Sequence, residues 1–305
     1  MTASTALLPS VGTAVASFVD YAGLFPPAEL PLPAAREEYL TARAGPYAWM
    51  LGRFIIPATQ LIESPQEFDA PFSAIVEPRA DALNELAAVR GIPARIEVLE
   101  IPIAKNISPF RDRLSRDEVL DLVGALEADL AVAGLGDLAV YVEVPRAHGW
   151  YGVLTEMMQT FARIGFRAKL RCGGVSADAF PSVEEVAEFI AAACAGGVAF
   201  KATAGLHHPV RHRDAATGFT MHGFLNLLAA AALAGRLDPP SLRDVVAEED
   251  PAAFAFDDAG LLWRNERITI AELQRTRETG FVSYGSCSFD EPVEDLIGLG
   301  LLAAR

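Results

Sequence analysis

Lysine, cysteine and long apolar runs are all scarce in this sequence. No apolar run approaches the roughly 20 residues that a membrane-spanning helix needs. The opening stretch, MTASTALLPSVGTAVASF, lacks the basic start of a secretory signal. The three cysteines, Cys172, Cys194 and Cys287, are scattered, with no CxxC pair. That spacing argues against structural zinc and for a reducing, cytoplasmic setting. No dinucleotide fingerprint follows the first expected strand, where Asp20-Tyr21-Ala22-Gly23 stands instead of GxGxxG. Positive charge is also short: the formal net charge is −15, which repels nucleic acid and anionic membranes. The expected partner is a small-molecule substrate, with no nucleic acid and no membrane; a homo-oligomer is left open. An anionic substrate would need a local basic pocket.

What is present is a regular alternation of short apolar runs and helix-period segments. Strands are expected at Ala14–Asp20, Ala48–Ile56, Phe72–Glu77, Arg95–Ile103, Leu138–Val144, Phe166–Cys172, Val198–Thr203 and Phe281–Ser286. Helices are expected at Pro33–Arg43, near Pro65–Phe68, and at Arg79–Val89, Arg116–Ala131, Val153–Arg163 and Ser182–Ala193. Ser115 with Glu118, and Ser182 with Glu185, have the spacing of a capping box. After the seventh strand the rhythm loosens. Helices at Phe219–Ala234 and Ser241–Glu248 precede a hairpin at Phe254–Arg267 that turns at Asp258-Ala259-Gly260. Helices at Thr269–Glu278 and Pro292–Leu302 flank the last strand. Eight strands joined by helices predict an α/β fold, a (β/α)8 TIM barrel, over residues 1–305 as one domain. An insertion of a helix and a hairpin is expected between strands seven and eight, at about residues 236–268.

Buried parallel strands should read as nearly continuous apolar runs, yet most of these carry a charge. Asp20 closes the first, Arg53 interrupts the second and Glu77 closes the third. Glu97 and Glu100 lie in the fourth and Glu143 in the fifth. Lys169 and Arg171 share one face of the sixth, and Lys201 and Thr203 one face of the seventh. One account is a structural ion-pair network. The other is a reactive ring at the C-terminal face, where barrel enzymes place their sites. Only three lysines occur, Lys105, Lys169 and Lys201, and every other basic side chain is arginine. Arginine serves ion pairs better; what lysine adds is an amine able to lose its proton and attack a carbonyl. Two lysines on adjacent strands should lower each other's pKa and so supply neutral amine. Glu143 or Glu100 would then shuttle protons.

The segments Phe166–Gly174 (FRAKLRCGG) and Ala199–Leu206 (AFKATAGL) resemble strands six and seven of the deoxyribose-phosphate aldolases, which are class I aldolases on a TIM barrel. Ser283–Ser288 (SYGSCS) is similar to that family's phosphate-holding turn after strand eight. The resemblance implies a Schiff base on Lys169, a tuning role for Lys201, and no cofactor. The family also has an acid on strand four, for which Glu97 and Glu100 both compete here. The expected reading is a carbon–carbon lyase acting on a small carbonyl compound. Lys169, Lys201, Glu143 and Glu100 carry the chemistry, and Arg53 and Arg171 hold a carboxylate or phosphate. Asp20, Glu77, Thr203, Gly205, His208 and Ser286 complete the expected substrate contacts. Asp290 and Glu291 already answer the helix dipole where a phosphate would bind, which argues against a phosphate there.

Four of the five histidines, His207, His208, His212 and His222, fall after strand seven. An alternative is therefore a metal-dependent lyase or hydrolase in which His207, His208 and His222 join Glu143 around a divalent metal. A further alternative is a non-catalytic ligand-binding barrel.

Overall fold

A computed structural model of the protein describes residues 7–63, 69–77, 82–91, 95–103, 116–143, 151–215 and 217–304. The chain opens with helix α1 (Pro9–Val15) and strand β1 (Val19–Tyr21), followed by α2 (Leu32–Ala44). Then come β2 (Leu51–Pro57), α3 (Ala58–Glu63), β3 (Pro71–Ile75) and α4 (Ala82–Arg90). Next are β4 (Arg95–Ile101), α5 (Arg116–Val132), β5 (Ala139–Glu143) and α6 (Tyr151–Ile164). They are followed by β6 (Arg167–Arg171), α7 (Val183–Ala195) and β7 (Phe200–Thr203). A short two-stranded sheet, β8 (His212–Arg213) and β9 (Thr220–Met221), leads into α8 (Phe224–Leu233) and α9 (Pro239–Ala247). A meander of β10 (Phe254–Asp257), β11 (Gly260–Trp263) and β12 (Glu266–Thr269) precedes α10 (Ile270–Thr279), β13 (Phe281–Ser286) and α11 (Asp290–Gly298).

Strands β1 to β7 and β13 are all parallel and close on themselves in the order β1-β13-β7-β6-β5-β4-β3-β2. The fold is a (β/α)8 barrel with a helix and a small sheet inserted before its last strand. Several boundaries depart from the expected ones. The apolar run from Ala14 ends a helix before it starts a strand, because a short buried run fits either period. Residues 48–50 form a 3-10 turn and β2 begins at Leu51. The helix expected from Phe219 begins at Phe224, since Thr220 and Met221 pair with β8. The hairpin turns where expected but gains a third strand. The piece near Pro65–Phe68 and the Ser115 cap lie outside the described residues, while a helix over Ala58–Glu63 was not anticipated.

The layers outside the barrel hold the apolar core. Phe200 stacks on Phe281, and Phe224 on Tyr284, with Phe18 edge-on to Phe281 and Tyr284. Side chains alternate across each strand, so the other face of the same strands lines the barrel interior. Register then sets charged groups level with one another. Glu143, Lys169, Lys201 and Ser283 are successive neighbours across β5, β6, β7 and β13. One step towards the C-terminal ends, Arg171, Thr203, Gly285 and Asp20 form the next row. No helix among the described residues is long and apolar enough to cross a membrane.

Candidate active site

The interior row is built around one carboxylate. Glu100, fully buried, accepts from Lys201 Nζ at 2.5 Å and from Ser73 Oγ at 2.6 Å through Oε1. Its Oε2 lies 2.7 Å from Lys169 Nζ. Lys201 also donates to Asp20 Oδ2 at 2.8 Å, and Ser283 Oγ donates to the same oxygen at 2.8 Å. Lys169 Nζ lies 3.1 Å from Glu143 Oε2, and Arg171 Nε donates to Glu143 Oε1 at 2.9 Å. Asp20, Glu100, Glu143, Lys169 and Lys201 are all buried. Taking such ions out of water costs several kcal/mol each, so only close pairing of this kind keeps them charged.

The two lysines differ. Lys201 makes two well-directed hydrogen bonds. Lys169 Nζ bridges Glu100 Oε2 and Glu143 Oε2 at 2.7 and 3.1 Å, and Glu143 in turn also holds the half-exposed Arg171. Lys201 is therefore the deeper, anchored group, and Lys169 the one nearer the exposed end of the cluster.

Electrostatics follow from this arrangement. Burial would raise the Glu100 pKa, but Lys169 and Lys201 outweigh it and hold the carboxyl well below the usual range. Burial likewise opposes ionisation of Glu143, and Lys169 and Arg171 again win, lowering its pKa. Burial pulls the Lys201 pKa down, while Asp20 and Glu100 more than reverse it. The repulsion expected between lysines on adjacent strands is thus answered by a carboxylate set between them. Lys201 is held charged.

Asp20 owes its place to a bulge. Val19 pairs with Leu51 but Tyr21 with Phe54, so β2 carries an extra residue opposite Asp20. Asp20 Oδ1 accepts from the Arg53 backbone N–H at 2.8 Å in that gap. A Cβ at Gly52 would stand 2.4 Å from the same oxygen, so the close approach requires glycine.

Of the two strand-four acids, Glu100 joins the lysines. Glu97 instead pairs with Arg53 Nε and Arg95, each at 3.0 Å. The two arginines expected to share an anion therefore stand on different carboxylates, Arg53 on Glu97 and Arg171 on Glu143. Glu77 lies two residues past β3, partly buried. Thr203 ends β7, and Gly205 follows in a left-handed turn with φ of +69°, against Gly173 and Phe180. Charges alternate without a break from Arg95 through Glu97, Arg53, Asp20, Lys201, Glu100, Lys169 and Glu143 to Arg171. Ser73 and Ser283 were not singled out from the sequence, because a lone hydroxyl in a strand carries no periodic signal.

The histidines do not gather with Glu143. His207 Nδ1 meets Glu291 at 2.9 Å, and Ser286 Oγ lies 3.4 Å from the same nitrogen. His208 Nδ1 meets Asp295 at 2.5 Å. His222 is buried and donates from Nε2 to the Pro181 carbonyl at 2.8 Å. Among the described residues no group of three or more His, Cys, Asp or Glu side chains is placed to hold a metal ion. The partnering of Glu291 with His207 could not be read from the sequence, as 84 residues separate them. Comparison with protein-family models and with curated proteins finds no match for this chain.

Proposed function

We propose that the protein is a Schiff-base-forming lyase of the class I aldolase kind, acting on a small carbonyl compound that carries an anionic group. The observation that carries this reading is the unequal pair of lysines on one buried carboxylate. Lys201 is locked by Asp20 and Glu100, while Lys169 bridges Glu100 to Glu143, whose other partner Arg171 is half-exposed. In this reading Lys169 passes its proton to Glu143, 3.1 Å away. Its nitrogen adds to the carbonyl carbon, the C=O π bond breaks, and the oxygen leaves as water after taking two protons. The iminium formed accepts the electron pair of the breaking carbon–carbon bond. Glu143 then serves as the acid/base group. Arg171 supports the anionic part of the substrate, since its side chain is 43% exposed at the C-terminal end of β6. Lys201 keeps Glu100 charged and in place.

Borohydride reduction in the presence of small aldehydes and ketones, followed by peptide mass spectrometry, tests this. The expected result is a stable adduct on Lys169 that Lys169→Met abolishes. No adduct on any lysine of the folded protein sinks the reading. A second reading, a purely structural ion network in a ligand-binding barrel, is favoured by the unbroken alternation of charge from Arg95 to Arg171. It requires Lys169→Met to destabilise the fold as strongly as Lys201→Met.

A further inference from the structure

Away from the lysines, a second cluster forms where β13 runs into α11. Cys287 follows the last residue of β13, and its Sγ lies 3.9 Å from Nδ1 and 4.0 Å from Nε2 of His207. His207 is tied in turn to Glu291 in the first turn of α11, and Ser286 Oγ stands beside the same ring. A thiol and a carboxylate thus contact the same imidazole. Residues from β7's outgoing loop, β13 and α11 meet here, at the C-terminal side of the barrel, the side on which barrel enzymes place their sites.

We propose that Cys287, His207 and Glu291 form a second reactive centre, in which the Cys287 thiol adds reversibly to a small aldehyde. The chemistry is that of a thiol held against an imidazole oriented by an acid. Held as an imidazolium beside Glu291 at neutral pH, His207 favours the thiolate of Cys287, whose proton goes to solvent. Sulfur attacks the carbonyl carbon, so a C–S bond forms and the C=O π bond breaks. The oxygen takes a proton from the imidazolium, which regains one from solvent, giving a thiohemiacetal with no oxidant or co-reactant. Burial opposes charge on His207, but Cys287 and Glu291 outweigh it and raise its pKa to about 9. His207 from the loop after β7 and the Tyr21 hydroxyl from β1 face the thiol; Glu291 of α11 acts on His207, and Asp290 of α11 on Tyr21. Of the other two cysteines, Cys172 is fully buried, and burial pushes the Cys194 thiol up to about 11.

Those two cysteines are internal controls for the test, and Cys194 is more exposed than Cys287. Iodoacetamide labelling of the folded protein at neutral pH would be followed at each cysteine by peptide mass spectrometry. Cys287 is expected to react about tenfold faster than Cys194 or Cys172, and His207→Gln to remove that advantage while leaving the other two unchanged. Glu291→Gln, a milder change, is expected to slow Cys287 alone. Glycolaldehyde is expected to protect Cys287 reversibly, and to do so equally in Lys169→Met, which separates this centre from the lysine chemistry. Labelling of Cys287 no faster than Cys194, or labelling that neither variant slows, overturns the proposal. Failure of glycolaldehyde to protect overturns its aldehyde assignment.

Discussion

What a buried charge leaves behind decides how much its removal costs. Lys201→Met would strip Asp20 and Glu100 of a cation that donates to both. Asp20 would keep Ser283, the Arg53 backbone N–H and, only at 3.9 Å, the Arg53 guanidinium, which leaves one interior carboxylate short of a close cation. Lys169→Met is gentler by the same logic. Glu143 keeps Arg171, and Glu100 keeps Lys201 and Ser73. The expected loss is about 3–5 kcal/mol for Lys201→Met and about 1–2 kcal/mol for Lys169→Met, measured by urea unfolding with unchanged m-values. Equal losses would remove the distinction between an anchored and a working lysine, and would favour the structural network. At this scale the sequence was informative for a physical reason. A charge in a buried parallel strand is expensive enough to need an explanation, so Asp20, Glu100, Glu143, Lys169 and Lys201 stood out. The hydroxyls of Ser73 and Ser283 cost little to place and gave no such signal.

Elements carry the next layer of consequence. The β1–β2 bulge is what lets Asp20 face Lys201, and Gly52 is what lets the strands approach there. Gly52→Ala is expected to cost about 1–3 kcal/mol through overpacking, and to lower the yield of any Lys169 adduct by displacing Asp20 from Lys201. A Gly52→Ala protein of unaltered stability would show that the strand gives way freely. Helix α7 offers a simpler case. Ser182 and Glu185 form both bonds of the capping box that their spacing implies. Ser182→Ala should lower stability by about 1 kcal/mol in denaturant titration, without touching the interior charges. A loss near zero would mean that packing alone holds that helix end. The contrast explains which elements could be read in advance. Caps are local, and three residues suffice to show them. The boundary between α1 and β1 is decided by tertiary packing of α1 on α10 and β11, which no window of the sequence contains. The bulge is equally non-local, being a mismatch between two strands.

For the whole molecule the same charges predict a shape for stability against pH. Glu100 and Glu143 have folded-state pKa values below their ordinary ones. Their stabilisation is present above the unfolded carboxylate value of about 4.3 and is lost as pH falls below it. His207 acts in the opposite sense. Its folded pKa is raised to about 9, so its contribution is full below the unfolded value of about 6.5 and is lost as pH rises towards 9. Net charge adds to this, because a formal −15 at neutral pH relaxes as carboxylates are protonated, easing self-repulsion. Moving from pH 9 towards pH 6.5 the His207 effect stabilises, and approaching pH 5 the first carboxylate protons ease the repulsion; below about pH 4 the buried carboxylates lose more than the surface gains, since each leaves a cation unpaired in the interior. Stability is therefore expected to peak between about pH 5 and 6.5, with a decline of order 1–2 kcal/mol from there to pH 9, once the half-exposed Glu291 is discounted for solvent. Two controls divide the causes. His207→Gln should flatten the alkaline decline without altering the acid limb. Added salt should weaken the surface repulsion but leave the acid limb in place, because the interior pairs are screened far less than exposed ones. An acid limb that vanishes in salt would place its origin on the surface and would mean that Glu100 and Glu143 are not held charged inside the barrel.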